Sequence, residues 1–388
     1  MDLQDEDRKC FGSIGPLSGK ARSADSAMHN LAGADSDWPS CGERILATML
    51  FDESLTMLNV TYFTRKPGRG WSLERVFDDV AAHLPDDITV TFCHNRFNSQ
   101  GLFKRLYDLL RATRHQGDVN HITGDVHFLT YLLQRRKTIL TVHDCGALEC
   151  PAGLRRWLLW LLWFWLPEKR CAAITVISAA TKQELLKHVR CDPAKIEIIY
   201  NNVSAEFSPY PYRFHLECPR ILQIGTTPNK NIERVAAALS GFRCRLVVIG
   251  KLLESQQAAL QKHGIDCENH IGISREQLLL QYQQADLVMF ASLYEGFGLP
   301  IVEANAVGRP VITSRLYSMP EVAGDAACYV DPYDVDSIRA GVERICQDAN
   351  YRQQLIDNGF RNVERFRTAV IAEQYAQLYR RIHAAQGS

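Results

Sequence analysis

Residues 292–310 read SLYEGFGLPIVEANAVGRP, with Glu295 and Glu303 eight positions apart on either side of Gly296, Phe297, Gly298, Leu299 and Pro300. The preceding run ADLVMFAS, 285–292, is apolar and of strand length, and PVITS at 310–314 starts another strand. Between them the spacing predicts a short helix. Pro300 suits its first helical position, where a missing amide proton costs no hydrogen bond, and Gly308 suits a left-handed cap at its end. Strand, glycine turn, helix and strand make one step of a parallel α/β sheet, whose ligands gather at the carboxyl ends of the strands. The glycine turn therefore lies where a ligand would sit.

Two glycines let backbone approach that ligand closely, and unpaired amides at a helix start favour an anion such as phosphate. Carboxylates repel phosphate, so Glu295 and Glu303 must face other parts of the same molecule. Carboxylates accept hydrogen bonds from hydroxyls, in which sugars are rich. A pyrophosphate with hydroxyls on both sides is a nucleotide sugar. The stretch resembles the E-x7-E signature of the family 4 retaining glycosyltransferases, the glycosyl transferases group 1. The resemblance runs from about Met57 to the end of the chain and is strongest over 220–332.

That resemblance implies an α/β architecture of the GT-B type, two Rossmann-like doubly wound domains facing each other across a cleft. It implies transfer of a hexose, such as mannose or glucose, from a UDP- or GDP-linked donor to a hydroxyl of a glycan or lipid-linked acceptor, in glycan or polysaccharide biosynthesis. It also implies retention of configuration with no metal or other cofactor. A sugar-nucleotide epimerase of the same fold and a non-catalytic sugar-nucleotide sensor stay open as alternatives. A dinucleotide oxidoreductase is disfavoured, because no strand is followed by G-x-G-x-x-G with an acidic residue about twenty positions on.

Composition agrees with two domains. The chain has 388 residues, 46% of them apolar, with 44 basic and 44 acidic side chains, and lacks the basic excess of a dedicated nucleic-acid binder. Twelve cysteines are scattered without a C-x-x-C pair, and no signal peptide is evident, which predicts reduced thiols and a cytoplasmic enzyme. Residues 1–56 are polar and rich in Gly, Ser and Asp, and are expected to be a disordered extension. Short apolar runs alternating with helical segments then predict one domain over 57–212 and a second over 213–365. The amphipathic segment 366–388 is expected to cross back onto the first domain, as the resemblance implies.

Around the donor, QIGTTPNKN at 223–231 places Gly225 and Thr226 after a strand and Lys230 at a helix start. A lysine there suits a pyrophosphate oxygen. Thr226 stands where family members often carry arginine, and Arg69 or Lys251 could compensate. By the resemblance, Glu303 holds ribose hydroxyls, Glu295 and the turn from Gly296 to Leu299 hold the donor sugar, and Ile271 and Gly272 meet the base. His143, in TVHDCGA at the end of a predicted strand, is expected near the donor sugar with Asp144 beside it. His121 and His127 are weaker candidates.

Two further signals read differently. Asp334-Val335-Asp336 matches a metal-binding D-x-D, but it precedes a helix that Asp336 is expected to cap, so no metal site is predicted. RRWLLWLLWFWLP, 155–167, carries four tryptophans and is too short to span a bilayer. A buried helix is its default reading, with peripheral contact at the cytoplasmic membrane as the alternative.

Overall fold

The computed structural model describes residues 57–67, 71–98, 101–148 and 153–387. The extension expected at 1–56 and the candidate Arg69 lie outside the described residues.

Two parallel six-stranded sheets organise the described chain. The first is built from β1 (Leu58–Thr64), β2 (Ile88–His94), β3 (Val119–Ile122), β4 (Thr138–Val142), β5 (Ala173–Val176) and β6 (Ile196–Ile198), in the order β2-β1-β3-β4-β5-β6. The second contains β7 (Arg220–Ile224), β8 (Arg245–Ile249), β9 (Cys267–His270), β10 (Leu287–Phe290), β11 (Val311–Ser314) and β12 (Ala327–Val330), in the order β12-β11-β10-β7-β8-β9. Strands such as LVMF of β10 and VITS of β11 are buried along their whole length, because helices cover both faces of each sheet. Those that matter below are α1 (Trp71–Ala81), α2 (Leu102–Ala112), α3 (Leu154–Trp160), α4 (Ala179–His188), α5 (Ile232–Ala238), α6 (Glu254–Lys262), α7 (Arg275–Gln284) and α8 (Leu299–Val307).

The strand order fixes where a ligand can enter. In the second sheet β7 and β10 are neighbours, yet the chain leaves β7 toward β8 and β10 toward β11, in opposite directions. A crevice opens at such a switch point. Gly225 follows β7 and the 292–299 turn follows β10, so both arrive at this crevice. The helix Thr368–Ala384 packs on the first sheet, where the Tyr379 hydroxyl donates to the Tyr62 hydroxyl at 2.8 Å. Val203 and Arg367, in the two segments that join the sheets, form an isolated parallel bridge.

Several local expectations need correction. Asp334, not Asp336, caps the following helix, its carboxylate accepting from the Asp336 amide at 3.0 Å. His121 is a core residue: its two ring nitrogens lie 2.7 Å from the Tyr379 and Thr141 hydroxyls, and burial pushes its pKa down to about 3. His127 is also internal, and burial lowers its pKa.

The aromatic segment is helical, but only half of it is buried. From α3 it passes into a π-helical turn, Leu161–Trp165, and then a short α-turn, Leu166–Lys169. Pro167 has no amide proton for the Trp163 carbonyl four residues back, and that carbonyl accepts instead from His127 Nδ1 at 2.7 Å. The Leu162 carbonyl likewise accepts from the Tyr131 hydroxyl. Trp160 and Trp163 pack on the core, whereas Trp157 and Trp165 remain 50% and 38% exposed. A run apolar on every side gives no sign of which side the fold will cover.

Candidate active site

A cleft of about 450 Å³ lies between the ends of β7 and β10 on one wall and the end of β4 on the other. Its size suits a nucleotide-sized ligand. Gly225, Lys230, Glu295, the turn from Gly296 to Leu299, and Glu303 line the first wall, and His143 and Asp144 line the second.

Glycine is required at two of these places. A Cβ on Gly296 would stand 2.2 Å from the His143 carbonyl oxygen, so this residue permits the two walls to touch. Gly225 has φ of +86°, and a Cβ there would meet Lys230 Cε at 2.9 Å. The Gly296 carbonyl accepts from the Ser178 hydroxyl at 2.7 Å and the Thr181 hydroxyl at 3.1 Å, at the start of α4. Glu321 reaches the same helix start, accepting from the Ala179 amide at 2.8 Å. The Ser318 hydroxyl donates to the Glu295 and Phe297 carbonyls at 2.8 and 2.9 Å. The turn is therefore held from both sides before any ligand arrives.

The two glutamates have different surroundings. Glu303 sits in α8, buried, with Oε2 accepting from the Tyr282 hydroxyl at 2.6 Å and Oε1 3.6 Å from Arg275 Nη1. Burial pushes its pKa up, and Tyr282 and Arg275 oppose that shift. Arg275 is itself fixed by Glu206 at 3.1 Å and lies over the Phe207 ring. Glu295 instead pairs with Lys230, Oε1 to Nζ at 2.5 Å, both side chains 14% exposed. The Lys230 ammonium also lies 4.5 Å from the centre of the Phe290 ring. Asn229 Nδ2 donates to the Tyr294 carbonyl at 2.7 Å and to Glu295 at 3.3 Å.

His143 has a defined tautomer. Its Nε2 is 2.8 Å from the Thr123 carbonyl, which can only accept, so Nε2 carries the proton. Nδ1 is buried without a protein partner among the described residues, and in the neutral ring it is an acceptor. The cavity lining thus offers two cations, Lys230 and Arg275, the glycine turn at the start of α8, and three acceptors for hydroxyls.

The family model for glycosyl transferases group 1 matches residues 215–362, and that for glycosyltransferase family 4 matches 58–207. The O-antigen chain mannosyltransferase B of Escherichia coli is 38% identical over 276 residues, 63% of this chain and 69% of that protein. The chain belongs to the family 4, group 1 glycosyltransferases. The MMP alpha-(1->4)-mannosyltransferase of Mycolicibacterium hassiacum is 29% identical over 70% of this glycosyltransferase and 73% of its own length. Sucrose-phosphate synthase from Thermosynechococcus elongatus shares the fold with a TM-score of 0.69 at 17% identity, covering 84% of this chain and all (100%) of that one. Anabaena HepE, solved in complex with UDP and glucose, does so with 0.67 at 15% identity, covering 82% and 98%. The glycosyltransferase therefore has the two-domain GT-B fold.

Of the residues singled out from the sequence, Lys230, Glu295, His143, Asp144, Glu303, Gly225, Gly272 and the turn from Gly296 to Leu299 meet at one cavity. Phe297 contributes backbone there, since its ring is buried against Tyr200 and Phe366. Thr226 and Ile271 do not line the cavity. The Thr226 side chain abuts Gly250, and its carbonyl accepts from Gln256 in α6 at 2.9 Å. Ile271 is 62% exposed, because the chain turns at Gly272, φ +66°, and presents Ile273 inward instead. Lys251 is exposed and outside the lining, and His121 and His127 belong to the first sheet's core. Sequence reading missed Arg275 and Tyr282, which hold Glu303, and Ser318 and Asn229, which hold the Glu295 turn. A spacing rule cannot find them, since each acts through a contact made only after folding.

Proposed function

We propose that this glycosyltransferase moves a hexose, with mannose favoured, from a nucleoside diphosphate sugar to a hydroxyl of a growing glycan, retaining configuration. The observation that carries this reading is the set of groups that line one cavity: Glu303, the turn Gly296–Leu299 at the start of α8, Lys230 with Glu295, and His143. That set suits the ribose, diphosphate and sugar of one nucleotide sugar. The names of the two relatives favour mannose.

Glu303 Oε1 accepts ribose hydroxyls while Tyr282 occupies Oε2. The Gly298 and Leu299 amides at the start of α8 and Lys230 neutralise the leaving diphosphate, where negative charge grows as the glycosidic bond breaks and prearranged donors lower the barrier most. Lys230 must first exchange Glu295 for phosphate. Glu295, so released, and His143 Nδ1 accept hydrogen bonds from sugar hydroxyls. The acceptor hydroxyl attacks the face from which the diphosphate leaves, and a phosphate oxygen takes its proton. Positive charge is supplied by the chain itself, so the reading needs no metal, and it places the protein in the cytoplasm where sugar nucleotides are made.

Incubation with GDP-mannose and with UDP-hexoses, each with a glycan acceptor pool and with EDTA, tests this directly. One donor should be consumed only when acceptor is present, with the linkage configuration preserved in the product. Consumption without acceptor would mark an epimerase or hydrolase instead, and loss of turnover in EDTA would remove the metal-independent part.

A further inference from the structure

Helix α2 packs against the turn His127–Tyr131, as does the π-helical turn Leu161–Trp165 that continues α3, and the Arg105 guanidinium lies 4.8 Å above the ring of Trp163 in that turn, so α2 adjoins the aromatic segment that α3 begins. Leu109, Trp160, Trp163 and Phe164 face inward and join the core. The outward residues are also large and apolar. Leu102 and Phe103 are 77% and 85% exposed, Leu154 is 72% and Trp157 is 50%. A surface helix ordinarily sets charged residues opposite its apolar stripe. These two helices carry apolar residues on both sides, and adjoining exposed apolar surface of that kind marks a contact site.

Charge decides what the contact is with. The cations Lys104, Arg105 and Arg111 lie on α2, and Arg155 and Arg156 lie on α3, with Lys169 at the end of its continuation. The two carboxylates of these segments, Asp108 and Glu168, are buried, at 2% and 4% exposure. Asp108 accepts from the Arg96 amide, and Glu168 pairs with Lys195 and with Lys169. Every charge the two helices leave at the surface is therefore positive, in a chain whose 44 basic and 44 acidic residues balance. A second copy docked on this face by two-fold symmetry would bring those cations against themselves. Acidic phospholipid headgroups neutralise them, while Leu, Phe and Trp side chains settle at the boundary of the acyl chains. We infer that the face formed by α2 and α3 docks on an anionic phospholipid bilayer. The attachment lies on the membrane, since no helix among the described residues is long and apolar enough to cross it.

Flotation of the full chain with vesicles of phosphatidylcholine alone, and of phosphatidylcholine mixed with phosphatidylglycerol, tests the inference. The protein should float with the mixed vesicles and stay behind with the neutral ones. Phe103→Ser combined with Trp157→Ser should reduce the bound fraction by about tenfold or more, with melting temperature and nucleoside diphosphate binding unchanged. Arg155→Gln with Arg156→Gln, which removes charge and keeps the apolar residues, should make binding fail at lower salt. No flotation with either vesicle, or equal flotation by both variants and the parent, would overturn the inference. A dimer in solution that Phe103→Ser and Trp157→Ser split into monomers would assign the face to a second copy and overturn it as well.

Discussion

The two halves of the molecule rest on similar six-stranded parallel sheets, yet they treat exposed chemistry in opposite ways. At the strand ends of the second sheet, the groups proposed to meet a ligand are paired inside the protein: Lys230 with Glu295, Glu303 with Tyr282 and Arg275. On α2 and α3 of the first half, large apolar side chains are left without partners. The difference follows from the cost of each choice. An unpaired charge in a narrow cleft is expensive, so a site for a polar ligand holds internal counter-ions that the ligand must replace. Scattered apolar exposure is tolerated in water, and a docking face needs no stand-in.

The largest effect should come where the halves touch. Gly296→Ala puts a Cβ 2.2 Å from the His143 carbonyl, so one wall must move away from the other. Displacements near 1 Å at a reacting centre cost about a hundredfold in rate. Turnover of the full donor should fall by about that much. Nucleoside diphosphate affinity should stay within a few-fold of the parent, because Lys230, the α8 amides and Glu303 all belong to the second half. Steady-state kinetics beside calorimetry would show it, and equal losses in both would mean that the second half does not hold the nucleotide alone.

A smaller effect sharpens the counter-ion argument. Glu295→Gln removes the carboxylate that occupies Lys230 and that is proposed to accept sugar hydroxyls. Turnover should fall by about ten- to a hundredfold, the value of hydrogen bonds to a charged group. The sugar-free diphosphate should bind no more weakly than before and up to about fivefold more tightly, since a partly exposed ion pair contributes about 0.2–1 kcal/mol. A clear loss of diphosphate affinity in this variant would show that Glu295 supports the phosphate site and does not compete with it.

Sequence reading succeeded where chemistry and local spacing coincide. The glycine turn, Pro300 and Gly308 fix a strand, a helix and their junction within twenty residues, and each of them constrains backbone in a way visible without tertiary contacts. Lys230 was found for the same reason, as a cation at a strand-to-helix turn. Reading failed where the outcome depends on which face a fold covers. Ile271 and Ile273 differ only in the turn at Gly272, and Trp157 and Trp160 only in the side that meets the core. His121 and His127 look like His143 in sequence, each within or near a strand, but only His143 lines the cavity, while the other two spend ring nitrogens on Tyr379, Thr141 and the Trp163 carbonyl inside the core. Arg275 and Tyr282 had no signal at all, since their function is to hold Glu303 across a gap in sequence that only folding closes.

The central claim is that Glu303 receives ribose from a nucleoside diphosphate whose phosphates lie at Lys230 and the start of α8. Titration calorimetry of GDP and UDP into the parent protein and into Glu303→Gln tests it most directly. The substitution keeps the shape and the Tyr282 contact but replaces a charged acceptor with a neutral one, so the Kd of whichever diphosphate binds should rise by about ten- to a hundredfold. Unchanged affinity in Glu303→Gln, or no binding of either diphosphate to the parent, would contradict the account.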